Sequence, residues 1–233
     1  MKNSWLLNAA EDASDSASLF YKKSYRNSLF LLQQSAEKAS KGLLKDMELL
    51  GDEYQTGMVL WGKKIRLPSP KEHGVGWHRE LFNFMVDFLD ALESRANAYS
   101  PDAELVKKFI LEFKKINLSF DKAKMKNLPK DIALLKAIKL FYNDMLLFSG
   151  DPEAIKKVKN IEGNRYSFVL FFVEPDVQRF LPFLKIFILY VLSSYLSQYE
   201  SAAREPDFRI NKRSTIIKNF GEIWYLIRDT INY

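Results

Sequence analysis

The chain contains no cysteine, only two histidines, and few glycines and prolines (9 and 8) in 233 residues. Without cysteine there is no disulfide scaffold, thiolate zinc site, iron–sulfur cluster or cysteine nucleophile. His73 and His78 alone cannot make a three-histidine metal centre within one chain. The shortage of turn-forming residues favours long regular elements over a loop-rich β-protein. No secretory leader is expected, because Glu11 and Asp12 interrupt the amino-terminal region before any adequate apolar run. The expected compartment is the cytoplasm.

Long hydrophobic runs are absent as well. The most apolar stretch, residues 168 to 196, carries Glu174, Asp176, Arg179 and Lys185. Its charge-free part, residues 186 to 199, is only about 14 residues long and includes Ser193, Ser194 and Ser197, whereas a membrane span needs roughly 20. A buried core helix is expected there.

What remains is ordinary globular composition, 47% hydrophobic and 27% charged. The length suits one core, or a core with a sizeable insertion. A formal net charge of +6 permits a nucleic-acid partner without requiring one.

Apolar residues recur at helical spacing through most of the chain. Trp5, Leu6, Ala9, Ala13, Ala17 and Phe20 predict a helix over 5–21. Leu29, Leu32, Ala36, Ala39, Leu43 and Met47 predict a second over about 24–50, stopped by Gly51 and Asp52. Gly42 lies inside that stripe, where a small residue lets two helices approach closely. Residues 52–76 hold Gly57, Gly62, Pro68, Pro70, Gly74 and Gly76 and read as a long loop. Leu81, Phe82, Met85, Phe88, Leu89 and Leu92 predict a third helix over 77–99. Ser100, Pro101 and Asp102 read as the start of the next.

The block from 101 to about 160 is lysine-rich and keeps helical spacing through Leu105, Phe109, Ile110 and Phe113, then through Ile132, Leu135, Ile138 and Phe141. Residues 168–173 suit a strand by composition, but nothing else in the chain reads as a strand to pair with it, so helix is preferred. Pro182 opens the buried helix to about 203. Residues 204–207 break it, and Ile216, Ile217, Phe220, Ile223, Trp224 and Ile227 mark a last helix over 211–231. The expected fold class is all-α: one domain with core helices at about 3–50, 77–99 and 182–231 and an inserted helical block at about 100–180.

The second helix carries Gln33-Gln34-Ser35-Ala36-Glu37-Lys38-Ala39-Ser40-Lys41, preceded by Ala9, Glu11 and Asp12 and by a turn containing Tyr25. His73 or His78 precedes Leu81 on the third helix, and Tyr199 to Asp207 precede the last one. In this order the segments resemble the HEPN family, over roughly 1–95 and 185–233. Glu205 stands where that family has an aromatic residue. The resemblance implies an up-and-down helical bundle, a homodimer, and a link to nucleotide or RNA transactions, toxin–antitoxin systems or a nucleotidyltransferase-type partner.

Some members of that family are ribonucleases with an Arg-x(4–6)-His motif. The corresponding residues here are Arg66 and His73, on a segment that Pro68 and Pro70 keep from being helical, with Leu67 at a position usually polar. Cleaving RNA needs an acid or base near neutral pKa and a cation for the phosphate. Arg66 and His73 are therefore the candidate catalytic pair. The alternative is a surface arginine and a loop histidine that caps the next helix.

Lys38, Lys41, His78, Arg204, Arg209, Lys212 and Arg213 are candidate nucleotide- or RNA-binding residues. The last four surround a helix start whose backbone N–H groups favour anions. Against this, Lys38 and Lys41 also suit a solvated helix face with an interhelical ion pair, and the arginines suit a solvated turn. No metal or cofactor is expected, and no P-loop or Gly-x-Ser-x-Gly occurs. Gly74-Val75-Gly76 lacks the strand and third glycine of a dinucleotide fingerprint. The favoured reading is a HEPN-like module that binds nucleotide or RNA, or pairs with a nucleotidyltransferase-type protein, without strong catalysis. A metal-independent endoribonuclease and a purely structural interaction module are the alternatives.

Overall fold

A computed structural model of the chain describes residues 3–99, 182–203 and 215–232. The elements in order are α1 (Ser4–Tyr21), α2 (Tyr25–Asp46), β1 (Gly57–Leu60), β2 (Lys63–Arg66), α3 (Val75–Tyr99), α4 (Pro182–Ala203), α5 (Thr215–Lys218) and α6 (Phe220–Asn232). The inserted block expected at 100–180 lies outside the described residues. The described part is mostly helical, and it falls into two compact units. One holds residues 3–48, 185–203 and 215–232; the other holds 49–99 and 182–184.

In the first unit, α1 and α2 form an antiparallel pair whose facing surfaces are lined by small residues. Ala9, Ala13 and Ser16 on α1 and Ala36, Ala39 and Gly42 on α2 are all buried. Gly42 is required by the packing, since a Cβ there would come within 2.6 Å of the Leu6 Cδ2 and 3.3 Å of the Leu6 backbone nitrogen. Asn3 caps α1 by accepting from the Trp5 N–H at 3.0 Å and ties it to the end of α2 by donating to the Gly42 carbonyl at 2.9 Å. At the other end, Ser16 and Ser28 each donate their hydroxyl to the other's carbonyl, both at 2.8 Å. The Ser35 hydroxyl donates to the Ala9 carbonyl at 2.7 Å. The chain reverses through Lys23, which adopts φ 62°, a left-handed conformation that an L-residue adopts at some cost.

The carboxyl-terminal helices complete this unit. Trp224 on α6 donates its indole N–H to the Ala13 carbonyl at 2.8 Å, and Phe220 stacks on Phe20 with ring centroids 3.9 Å apart. On α4, residues 185–197 are buried on every face, as an all-round apolar helix must be. No helix among the described residues is long and apolar enough to cross a membrane. The final helix is not continuous as the sequence led one to expect. Asn219 interrupts it, and its carbonyl accepts from the Ile223 N–H to begin α6.

In the second unit the expected loop at 52–76 contains an antiparallel hairpin pairing Gly57 with Arg66 through Leu60 with Lys63. This corrects the expectation that the chain holds no strand able to pair with another. Trp61 and Gly62 form its two-residue turn with φ 47° and 79°, the double left-handed geometry of a type I′ turn. Leu60, Ile65 and Leu67 turn inward, as do Trp77, Leu81, Phe84, Met85, Phe88, Leu89, Ala91 and Leu92 of α3. Phe82, expected in the core, is only half-buried, and Phe84 is fully buried. Phe88 is the hub: it stacks on Phe183 at 3.8 Å and meets Trp61 edge-on at 6.3 Å.

Candidate functional site

Two polar constellations stand out, one inside each unit. The first lies on the inward face of α2. Gln33, Glu37 and Lys41 follow one another at intervals of four, with Ser40 three after Glu37, so they project from one side of the helix, and all are buried. Lys41 Nζ lies 3.0 Å from Glu37 Oε1, with side-chain exposures of 0% and 2%. The Gln33 amide lies 3.5 Å from both Glu37 Oε2 and the Ser193 hydroxyl of α4. Lys41 also sits 5.2 Å from the centre of the Trp5 ring, within cation–π range.

Lys41 therefore points into the unit and presents no charge to solvent. Lys38 is partly exposed but is held by Asp12 of α1 at 2.6 Å. The segment that carries the family resemblance directs its lysines toward internal partners. Such a buried ion pair is expensive to desolvate, so its presence is weak evidence of a net contribution to stability.

The second constellation is the hairpin with the amino-terminal two-thirds of α3. Arg66 donates from Nε and Nη2 to the two oxygens of Asp87, each at 2.7 Å, and the Arg66 backbone N–H donates to the same carboxylate at 3.0 Å. Asp87 thus receives three hydrogen bonds from one residue and fastens β2 to α3. His73 is exposed in the turn before α3, and its carbonyl accepts from the Gly76 N–H at 3.1 Å. His78, one turn into the helix, is buried. Of the residues singled out from sequence, Arg66 and His73 are exposed on this segment, Lys38 and Lys41 are engaged in the other unit, and Arg204, Arg209, Lys212 and Arg213 lie outside the described residues.

A groove of about 330 Å³ opens beside the Arg66–Asp87 latch, lined by Lys63, Lys64, Asp87, Asp90, Glu93, Ser94 and Asn97. None of these residues, Asp87 included, was marked by any motif. Their signal in the sequence is only that positions 87, 90, 94 and 97 recur at helical spacing with polar side chains. Among the described residues no cluster of three or more histidines, aspartates or glutamates is arranged to hold a metal ion.

Burial pushes the Asp87 carboxyl up, but the hydrogen bonds and charge of Arg66 outweigh it and leave the pKa below the ordinary carboxylate value. A carboxyl depressed on folding adds stability above its unfolded pKa, and that stability is lost as pH falls through the folded one. The latch should therefore release in acid, below the usual carboxylate range. Since Arg66 is 61% exposed, the contribution is modest, about 1 kcal/mol. Asp87→Asn should lower the thermal midpoint at pH 7, and the gap from wild type should narrow as pH falls below the ordinary carboxylate range. A gap as wide at pH 3 as at pH 7 would show that the charge is not what matters.

Compared with protein-family models, curated proteins and solved structures, the chain matches none.

Proposed function

We propose that this chain is a HEPN-like helical module that binds RNA or a ribonucleotide without strong catalysis, and that it pairs with a second copy or with a nucleotidyltransferase-type protein. One observation carries the binding part. Among the described residues, Lys63, Lys64, Arg66 and Lys71 are solvent-facing along one short segment with exposed His73 beside them, Arg66 paired with Asp87 and Lys71 with Glu53. Tyr54, at the approach to the hairpin, is 96% exposed. Positive side chains that meet phosphates, next to an aromatic face on which a base stacks, are the elements of single-strand recognition. The helices α1, α2, α4 and α6 are compatible with the helical bundle that the resemblance implies, and Gln33 to Lys41 lie among them.

The test is anisotropy of a labelled oligoribonucleotide with the whole chain. Binding should weaken steeply between 50 and 200 mM salt, as phosphate contacts require. Lys63→Glu/Lys64→Glu should lower affinity at least about tenfold, because two attractive contacts become repulsive. Salt-independent binding, or binding indifferent to the double reversal, contradicts the proposal. No binding together with no thermal shift from nucleotides leaves a purely structural module.

The endoribonuclease alternative keeps Arg66 and His73 as its catalytic pair. Arg66 would have to leave Asp87 to hold a scissile phosphate, so the same RNA should stay intact without metal. Metal-free cleavage that disappears in His73→Ala would establish that alternative instead.

A further inference from the structure

The turn that joins α1 to α2 carries three cations close together. Lys22 and Lys23 are exposed, and Arg26, at the start of α2, is half-buried. Among the described residues no carboxylate pairs with any of the three. Positions 16–36 contain no aspartate or glutamate, so this stretch of the helical pair is positive without compensation from its own sequence. Tyr21, the last residue of α1, is 85% exposed.

The turn is well fixed. The Ser24 N–H donates to the Leu19 carbonyl and the Lys23 N–H to the Phe20 carbonyl, both at 2.9 Å. That pair of bonds closes a helix through one left-handed residue, a position usually given to glycine and sometimes to asparagine. Here it is Lys23, with φ 62°. Its ammonium serves no contact in the turn, so the cost of a left-handed lysine has no return inside the chain. Phe20 stacks on Phe220 and meets Tyr25 edge-on at 5.1 Å. The cations are therefore displayed from an anchored backbone, which lowers the ordering cost of a bound partner.

We infer that this turn is a second contact surface for single-stranded RNA, in which Lys22, Lys23 and Arg26 meet phosphates and Tyr21 stacks a base. The inference rests on the proposed RNA binding and makes the ligand a strand, since a strand offers successive phosphates with a stackable base between them. The combination of cations and an exposed tyrosine repeats, in the first unit, what Lys63, Lys64 and Tyr54 make in the second. An acidic protein would satisfy the cations but leave the tyrosine face unused. Lipid headgroups are recognised by larger clusters, about four to eight basic residues.

The experiment measures anisotropy of a labelled mixed-sequence oligoribonucleotide with the full chain across a salt series. Lys22→Gln/Lys23→Asn/Arg26→Gln removes the charges while asparagine suits the left-handed position. It should lower affinity at least about tenfold and make the log–log salt slope shallower by about two, at about 0.7 per phosphate contact. Tyr21→Ala should lower affinity about fivefold or more with the slope unchanged, and Tyr21→Phe should restore it, because stacking carries no counterion release. Wild-type circular dichroism and thermal midpoint are expected for the tyrosine variants, since that side chain is exposed. If the neutralised variant keeps wild-type affinity and slope while Lys63→Glu/Lys64→Glu loses binding, the inference is overturned and the parent reading stands. If Tyr21→Ala binds like wild type, the stacking role is overturned. Competition by adenosine triphosphate as effective as that by unlabelled strand overturns the assignment to a strand. Flotation on phosphatidylserine vesicles that depends on the three cations, with RNA affinity indifferent to them, assigns the turn to a lipid surface instead. No binding of RNA by wild type overturns both readings.

Discussion

Lys41→Ala should destabilise the first unit by about 3–5 kcal/mol, whereas replacing both partners, as in Glu37→Leu/Lys41→Met, should cost little or even stabilise it. The asymmetry follows from burial. With side-chain exposures of 2% and 0%, removing the lysine leaves a carboxylate in the bundle interior without this countercharge. Removing both eliminates the desolvation problem and substitutes apolar volume. Glu37→Ala should be similarly damaging, because it takes the Glu37 carboxylate away from the buried Lys41 ammonium. Urea denaturation followed by circular dichroism would measure all three variants. If the double replacement proves as damaging as either single one, the pair is not an isolated buried charge problem, and a wider network must hold it.

The other large effect belongs to the second unit. Phe88→Ala should cost about 3–5 kcal/mol, the usual range for emptying a fully buried aromatic site. Phe88 is 0% exposed and joins three elements by its contacts with Phe84, Phe183 and Trp61. A two-stranded hairpin of four-residue strands has little stability of its own, so its order depends on this anchorage. Amide exchange at Met58, Leu60 and Ile65, which lie in the hydrogen-bonded pairs of the hairpin, should accelerate together with that of α3. Hairpin amides that keep wild-type protection while α3 loosens would show that Trp61 does not depend on Phe88.

How much of this was legible from the residues differs by element. The helices were, because Leu29, Leu32, Ala36 and Ala39 repeat at a period no strand shares, and α4 betrayed its burial by lacking a polar face. The hairpin was not. Four-residue strands are too short to display alternation, Lys63 and Lys64 place two charges side by side, and Trp61 is an unusual occupant of a left-handed turn position. Only the Gly62 at the second turn residue hinted at it. The break at Asn219 left no trace either, since Ile216, Phe220 and Ile223 keep their spacing across it.

The candidate site shows the same division. Arg66 and His73 drew notice through their spacing, but the partner that engages Arg66 is 21 residues away in sequence and could not be read from it. Charge alone made Lys41 look like a ligand-facing residue. Its inward direction depends on where α4 and α1 pack, which is tertiary information. Asp90 and Glu93 are unremarkable helix-surface acids until the hairpin folds beside them.

The reciprocal serine bonds between α1 and α2 bear on how the first unit can move. Ser16 with Ser28, Ala9 with Ser35 and Asn3 with Gly42 all fit one antiparallel alignment. A slide of either helix by a single turn would break every one of these contacts at once and drive Leu6 away from its notch at Gly42. The pair therefore behaves as a keyed joint that transmits displacement as a rigid lever. Any signal passing from a bound partner through these helices would have to tilt them together, not shift one along the other.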